Sequence, residues 1–476
     1  MKKQEKILLF FLLFIIAAVR LYHIGAPPLE IEESWRQADT ESMAWNFANY
    51  DRNPFHPNLN YDGPLPNIPA LEIQVTTYVI SILYRLFGHH YFFARLVPLT
   101  FFIISGLFLY LFARNHMGKG AAAIGLAVYG LLPINVYYSR AIMPESAALM
   151  FWIAGFYFFE KWVIHKKNCH QEKRYLITSS IFLAFAIMTK PPVIVIAVPM
   201  LFLCFRHFKW GWAKFPELWG YVLATLGVPA VYYYLSGRIA EFKFTVGITH
   251  SLIVQNDLFT LKTWQFFSDN IPRTLGLIGL LLVLIGVFSI TKKEIIILVW
   301  FAAMLFEVIV FVGLIRSAYY LIFFAVPCSL LIGNLLYRML SEPTGKILAV
   351  LLIFVMTLES LYQVKPMFKL NSVMQNQVEV VQRATNPDDL LVVGALEPCL
   401  LSLADRRGWR YNLRIYEETP VDPRQELAGY IEKGAKYFVP IQGKIYGDES
   451  GQLMRSIEER YTKIEPVQGY PIFQLQ

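Results

Sequence analysis

The sequence predicts a polytopic α-helical membrane protein followed by a small α/β domain, and its composition and charge distribution support this prediction. The chain has 476 residues, of which 56% are hydrophobic and 16% aromatic, which is more apolar than a soluble enzyme of two or three domains. Residues 364–476 carry 14 basic and 15 acidic side chains, whereas the first 363 residues carry 29 and 20. We therefore expect a membrane domain over 1–363 and a soluble domain over 364–476.

Charge and cysteine content exclude several classes of protein. The formal net charge of +8 does not indicate a nucleic-acid-binding protein, because the basic residues cluster in short loops between apolar runs. The four cysteines show neither a CxxC motif nor metal-ligand spacing. We expect no disulfide and no structural zinc. No cofactor is evident, since no nucleotide-binding glycine loop is present, and a divalent cation stays an open alternative that no ligand cluster supports.

Eleven apolar runs are long enough to cross a bilayer, which needs about 20 residues per helix. The first run follows a basic start and precedes no small-residue cleavage site, so we expect a retained helix rather than a signal peptide. The runs lie near residues 7–24, 92–114, 119–138, 146–164, 175–190, 191–207, 217–235, 273–291, 294–313, 318–339 and 344–363.

A twelfth candidate, residues 68–88, decides the orientation of everything after it. If this segment lies flat at the interface, seventeen Lys and Arg residues fall in short cytoplasmic segments, as the positive-inside rule demands. The short outer turns then contain three basic residues, Arg140, Lys190 and Arg316. We therefore predict eleven spans in a bacterial plasma membrane, with the N-terminus cytoplasmic and the C-terminal domain extracytoplasmic.

The first outer loop, residues 25–91, carries two predicted interfacial helices. The first covers 33–49, where aromatic and charged residues alternate as in an amphipathic helix, and the second is the 68–88 segment. The turn-rich stretch between them predicts irregular structure. A second outer loop is expected over 236–272.

Beyond residue 364 the pattern predicts alternating strands and helices, which is typical of a small α/β domain. We expect a buried strand over 388–396, a helix over 400–409 that ends at Gly408, a helix over 426–435 and a strand over 436–441.

The polar residues of the predicted outer face suggest one shared cavity. Acids come mainly from the first loop and bases from later helix ends, which suits transfer from a lipid-phosphate donor. A carboxylate accepts a proton from an acceptor hydroxyl, and cations hold the departing phosphate. The candidate catalytic acids are Glu32, Glu33, Asp39 and Glu145. The candidate phosphate-binding residues are Lys190, Arg316, Arg95, Arg140, Tyr319 and Tyr320, and weaker candidates are Asp62 and His250.

Structural explanations compete with these roles. The Glu32–Glu33 pair and Glu145 both precede or start helices, where a carboxylate complements the N-terminal dipole. Lys190 is costly between two apolar runs unless it is functional or extends to the interface. Tyr319 and Tyr320 also fit an aromatic belt.

An ordered set of short motifs resembles the GT-C membrane glycosyltransferases of the protein O-mannosyltransferase and aminoarabinose-transferase type, glycosyltransferase family 39-like. The motifs are WRQADT (35–40), AWNF (44–47), FFARLVP (92–98), YYSRAIMPES (137–146), TKPP (189–192) and RSAYYLIFFAVP (316–327). The resemblance covers most of residues 1–365. It implies a GT-C-like fold, a polyprenyl-phosphate sugar donor, an acidic catalytic residue in the first outer loop and two surface helices in that loop.

The chain departs from that family at two places. The usual Asp-Glu pair at the start of the loop helix is replaced by Glu32 and Glu33, with Asp39 further along, so the base has three candidates. A Lys-Pro element before the second surface helix is replaced by residues 62–64, Asp-Gly-Pro.

The expected function is therefore transfer of a sugar from polyprenyl phosphate to a hydroxyl of a lipid, glycan or protein acceptor, with inversion. The alternatives are a ligase or polymerase acting on lipid-linked oligosaccharide and, from another class, a lipid-carrier transporter or flippase. Transporters commonly show repeated halves and charges deep in the spans, whereas the charges here lie at the predicted outer rim.

Overall fold

The computed structural model describes residues 2–168, 173–241, 257–413 and 422–476, and most of the first 364 are helical. The helices there run over Lys3–Val19, Ser34–Asn49, Val75–Phe87, Tyr91–Leu131, Pro133–Tyr138, Glu145–Lys167, Lys173–Thr189, Ala197–Phe208, Pro216–Ile239, Leu261–Leu275, Leu277–Phe288, Ile295–Glu307, Leu321–Leu340 and Pro343–Val364. Shorter turns connect them: 3-10 turns at Pro191–Ile196, Lys209–Lys214, Asp257–Phe259, Ala318–Tyr320 and Lys365–Phe368, a π-helical turn at Val308–Val312, and a single turn at Gly313–Ile315.

The chain is a multi-span membrane protein. Within the described residues, seven helices are long and apolar enough to cross a bilayer, or eight if the pair Leu261–Leu275 and Leu277–Phe288, bent by 88°, crosses as one span. Helix Tyr91–Leu131 has 41 residues, about twice the length that one crossing needs, and breaks at Gly118, where φ is 80°. Each of the eleven predicted runs is largely helical, but the number of crossings stays a prediction.

Both predicted helices of the first outer loop are present. The first, Ser34–Asn49, is called the loop helix below, and eleven of its residues are buried rather than lying half-exposed on a surface. The second, Val75–Phe87, has 13 residues and rises about 20 Å, too short for a hydrocarbon core of about 30 Å. The predicted second outer loop is partly helical, since Leu261–Leu275 falls within it.

The small C-terminal domain, predicted over 364–476, contains a five-stranded sheet in the order β2-β1-β3-β5-β4. The strands β1 and β2 are parallel, as are β1 and β3, whereas β3, β5 and β4 pair antiparallel. Their bounds are β1 Leu390–Val393, β2 Arg407–Arg410, β3 Ala435–Val439, β4 Thr462–Ile464 and β5 Ile472–Gln474. The domain's helices are Ser372–Ala384, Cys399–Ala404, Pro423–Glu432 and Gln452–Arg460.

The predicted helix over 400–409 is wrong at its C-terminal end. The helix stops at Ala404 because Asp405 adopts a left-handed conformation with φ 50°, and β2 follows at once. Gly408 is therefore a strand residue rather than a helix cap. Its φ is +154°, and a Cβ there would lie 1.8 Å from the backbone oxygen of Leu391, so only glycine fits against the neighbouring strand.

The first outer loop and the C-terminal domain share one hydrophobic core. Ala38, Met43 and Leu59 of the loop pack with Val381 and Leu400 of the domain. The loop also covers the free edge of β2, where residues 61 and 63 form isolated bridges with residue 408. The sheet edge is thereby closed, and the loop helix is held between the membrane bundle and the C-terminal domain.

Candidate functional site

Lys190 and Glu145, distant in sequence, meet in a buried ion pair. Glu145 is the first residue of helix Glu145–Lys167, and Lys190 follows helix Lys173–Thr189 in an extended conformation that the next residue, a proline, favours. The Lys190 Nζ lies 2.6 Å from the Glu145 Oε1, and the two residues are only 3% and 0% exposed. Within the described parts of the chain, no well-oriented hydrogen bond reaches either Glu145 oxygen, so the contact is electrostatic.

Two tyrosine rings complete the surroundings of Lys190. Its Nζ lies 5.0 Å from the ring centroid of Tyr319 and 4.9 Å from that of Tyr320, both within the range of a cation–π contact. The two tyrosines belong to the 3-10 turn Ala318–Tyr320. The structure therefore brings together four residues that the sequence predicted for one site.

Glu33 occupies the position before the loop helix and has a left-handed backbone with φ 55°. Such a conformation costs a non-glycine residue of order 1–3 kcal/mol and is concentrated at functional sites. Burial and the negative charges of Glu32 and Glu145 together raise the pKa of Glu33 to about 7, against the opposing effect of Arg36 and Lys190. Among the described residues, no hydrogen bond or ion pair holds this carboxylate, which leaves it available to a ligand.

The neighbouring acid, Glu32, is more constrained. Its Oε1 accepts a hydrogen bond of 3.2 Å from the Tyr138 hydroxyl. Its Oε2 lies 3.2 Å from Nη2 of Arg273, a residue of helix Leu261–Leu275 whose side chain is half-exposed. Glu32 thus has partners on two elements of the membrane region.

Arg36 is a site residue that the sequence analysis did not select. It forms an ion pair with Glu72 of the first loop, and the negative charges of Glu145 and Asp39 act on its guanidinium. The signal was present in the sequence, since Arg36 follows Glu33 by three residues and such pairs share a helix face.

Asp39 lies on the side of the loop helix that faces the C-terminal domain. Its Oδ2 accepts a hydrogen bond of 3.2 Å from the Tyr61 hydroxyl, while its Oδ1 is buried without a hydrogen-bond partner among the described residues. Burial raises the pKa of Asp39 to about 7, although the charges of Arg36 and Arg410 lower it. Asp39 is thus a buried acid at the domain boundary.

Arg95 and Arg140 converge on a different acid, Glu30. Arg95 Nη1 lies 3.1 Å from the Glu30 Oε2, and Arg140 Nη2 contacts the Glu30 Oε1. All three side chains are buried, and Tyr137 donates a further hydrogen bond of 3.1 Å to Glu30. Their charges are already partnered, so a donor phosphate would have to compete with Glu30. Glu30 is not among the acids predicted from the sequence for the site.

The remaining candidates have contacts in other parts of the chain. Arg316 has a left-handed backbone with φ 53° and donates to the Thr263 hydroxyl at 3.4 Å. Asp62 binds the guanidinium of Arg410 in the C-terminal domain. His250 lies outside the described residues. In the described ranges, no group of three His, Cys, Asp or Glu side chains is arranged to hold a metal ion.

The middle of the chain matches one known sequence family. Residues 74–236, about a third of the chain, match the family described as dolichyl-phosphate-mannose-protein mannosyltransferase. No curated protein matches the sequence.

Solved structures resemble the whole chain. ArnT from Cupriavidus metallidurans bound to undecaprenyl phosphate has a TM-score of 0.67 at 12% identity, covering 98% of this chain and 97% of that one. Its apo state gives 0.62, again at 12% identity, with 97% of each chain covered. The archaeal oligosaccharyltransferase AglB from Archaeoglobus fulgidus, in complex with an inhibitory peptide and a dolichol-phosphate, gives 0.58 at 12% identity over 97% of this chain and 73% of that one. The predicted resemblance is confirmed: this multi-span membrane protein has the GT-C glycosyltransferase fold, and its residues 74–236 match the dolichyl-phosphate-mannose-protein mannosyltransferase family.

Proposed function

We propose that the chain transfers a sugar from a polyprenyl-phosphate donor to an acceptor hydroxyl at the outer face of a bacterial plasma membrane, with inversion at the anomeric carbon. The observation that carries the proposal is that the unpaired carboxylate of Glu33 lies within electrostatic range of the buried Lys190–Glu145 pair. The fold shared with structures that hold undecaprenyl phosphate or dolichol-phosphate supports the choice of donor.

Lys190 and Arg36 are the proposed ligands of the donor phosphate. Each already contacts one acid, Glu145 or Glu72, and the phosphate would add to that contact. At Arg95 and Arg140, by contrast, it would compete with Glu30 inside a fully buried cluster. Lysine acts on phosphate as a point charge, and arginine can bind two phosphate oxygens at once. In the donor the phosphate is a diester with one negative charge, whereas the departing polyprenyl phosphate gains a second. Fixed cations therefore stabilise the transition state more than the bound donor, which is the requirement for catalysis.

Glu33 is the proposed general base. As the acceptor oxygen attacks the anomeric carbon, its proton passes to the Glu33 carboxylate. The bond between that carbon and the phosphate oxygen breaks, and the electron pair leaves with the polyprenyl phosphate. One displacement from the opposite face inverts the sugar. A carboxylate whose pKa is about 7 is well matched to proton transfer at neutral pH.

Glu145 and Glu30 have supporting roles in this proposal. Glu145 fixes the ammonium of Lys190 beside the rings of Tyr319 and Tyr320, and Glu30 fixes Arg95 and Arg140 so that the first loop keeps its position. Arg95 and Arg140 are then structural rather than phosphate ligands.

The test incubates purified protein with a panel of polyprenyl-phosphate monosaccharides and candidate acceptors. Glu33→Gln is expected to lower kcat by about 10²–10⁴-fold, the usual contribution of general base catalysis, with little change in donor KM. Lys190→Ala should weaken both donor binding and turnover. Lys365→Ala is the matched control, because Lys365 is exposed just beyond the last long apolar helix. Full turnover by Glu33→Gln together with an inactive Glu32→Gln would move the base to Glu32.

The same panel separates the rival functions. Because the fold is similar to that of AglB, the donor panel also includes a lipid-linked oligosaccharide. Transfer of the oligosaccharide but of no monosaccharide would indicate a ligase. Movement of the lipid carrier across vesicles without transfer would indicate a transporter.

Topology reporters test the proposed orientation. With eleven spans, reporters at Gly63 and after Gln476 lie on one side of the membrane and a reporter at Lys167 lies on the other. Reporters at Gly63 and Gln476 on opposite sides would refute the eleven-span topology.

A further inference from the structure

Arg410 of the C-terminal domain reaches across the domain boundary into the first outer loop. It is the last residue of β2 and is 2% exposed. Its Nε and Nη2 bind the two carboxylate oxygens of Asp62 at 3.1 and 2.6 Å, and its Nη1 donates to the backbone oxygen of Leu396 at 2.9 Å. The guanidinium is therefore fixed in both position and plane.

Two aromatic rings of the loop pack against this fixed cation. The Arg410 Cζ lies 5.0 Å from the ring centroid of Trp35 and 4.5 Å from that of Tyr61. Trp35 lies between Glu33 and Arg36, and the Tyr61 hydroxyl donates to Asp39. The contacts of Arg410 thus converge on the first turn of the loop helix, which carries the proposed base and a proposed phosphate ligand.

We propose that Arg410 is a positioning residue, which holds the start of the loop helix so that Glu33 and Arg36 face Lys190. The C-terminal domain is then part of the reaction site without touching the substrate. The kinetic part of this inference rests on the proposed function, whereas its structural part rests on the contacts of Arg410 alone.

The same strand offers a matched control. Arg407 also docks the domain onto the loop helix, but at the helix's other end. Its Nη2 donates to Asn46 at 3.2 Å, and its Cζ lies 4.3 Å from the ring of Tyr50. Replacing Arg407 weakens the docking without touching Trp35 or Asp62. A role in docking alone predicts equal effects of the two arginines, whereas positioning predicts that only Arg410 affects the first turn.

The kinetic test compares Arg410→Gln, Arg410→Lys, Asp62→Asn and Arg407→Gln. Arg410→Gln and Asp62→Asn should lower kcat by about 10- to 100-fold with donor KM within about twofold, because misplacement by about 1 Å costs about that much. The double variant Arg410→Gln/Asp62→Asn should have the same kcat as Arg410→Gln alone, since the two residues act as one unit. Arg410→Lys, which keeps the charge but loses the two-oxygen contact, should be intermediate, and Arg407→Gln should keep kcat within about twofold.

Amide hydrogen exchange provides a readout that needs no turnover. Arg410→Gln and Asp62→Asn should speed exchange over residues 34–40 by about tenfold, whereas Arg407→Gln should act near 46–50. Unchanged exchange over 34–40 in both Arg410→Gln and Asp62→Asn would overturn the inference, as would an equal loss of kcat in Arg407→Gln. If wild-type protein transfers no sugar, the proposed function fails, and exchange still decides the role of Arg410.

Discussion

Replacing Lys190 by methionine is expected to destabilise the protein more than removing both members of its ion pair. The Lys190 Nζ lies 2.6 Å from the Glu145 Oε1, and both residues are almost fully buried. At that distance, with an effective dielectric constant of about 20, the attraction is about 6 kcal/mol. Desolvation of the two groups cancels part of this attraction.

The single substitution Lys190→Met leaves the Glu145 carboxylate buried without its ion-pair partner. Such a loss typically costs about 3–5 kcal/mol of folding free energy. The double variant Lys190→Met/Glu145→Gln carries no orphaned charge, so it should recover at least half of that loss. Both variants should be inactive, because neither has a cation at position 190.

The assay is thermal unfolding in detergent, followed by tryptophan fluorescence, with Lys365→Met as the control for an exposed lysine. We expect unfolding temperature to fall in the order wild type, double variant, Lys190→Met. The reasoning is refuted if Lys190→Met unfolds at the wild-type temperature, or if the double variant is less stable than the single one.

Four further outcomes are expected. If Glu33 is the base, log kcat/KM should rise with pH below about 7 and level off above it, because Glu33 loses its proton near pH 7. Glu33→Gln should abolish this rise. Burial raises the pKa of Asp39 from 3.8 to about 7, so the folded state binds the proton more tightly and stability falls as pH rises between these values. Asp39→Asn should therefore unfold at a higher temperature than wild type at pH 8 but not at pH 3; an equal shift at both would contradict this. Glu30→Gln should lower the unfolding temperature, since it leaves two buried arginine charges without their acid at a cost of about 3 kcal/mol or more. The equilibrium Kd for polyprenyl phosphate should stay unchanged, which would show that Glu30 does not contribute to donor binding. Gly408→Ala should disrupt the C-terminal sheet, because a Cβ there lies 1.8 Å from a backbone oxygen, whereas Gly429→Ala, with nothing within 4 Å, should not; limited proteolysis distinguishes them.

Hydrophobic runs and basic loops made most of the fold predictable. The run 146–164 is apolar over most of its length, and the buried helix Glu145–Lys167 follows that run closely. Strand β2 was missed because Arg407–Arg410 has no alternation of apolar and polar residues. It is a strand through its pairing with β1 and the first loop, which no local pattern records.

The candidate site was partly predictable for a similar reason. Lys190 was selected because a charge between two apolar runs is costly, and Glu145 because it is an acid of the predicted outer face within the motif YYSRAIMPES. The pairing of Arg95 and Arg140 with Glu30 could not be predicted, since it depends on how the first loop returns to the bundle. The ion pair of Arg36 with Glu72 could not be predicted either, since the two residues are 36 positions apart in the first loop.

The shared core of the first loop and the C-terminal domain has a consequence for biosynthesis. Asp62 and Arg410 are separated by 348 residues, so the ribosome completes the membrane bundle long before the loop meets its partner strand. Until then, the apolar side chains of Ala38, Met43 and Leu59 have no cover from that domain. The loop helix therefore cannot reach its final contacts until the C-terminal domain has been synthesised. A chain that terminates early would leave these apolar side chains exposed, and exposed apolar surface is bound by chaperones and cleaved by proteases.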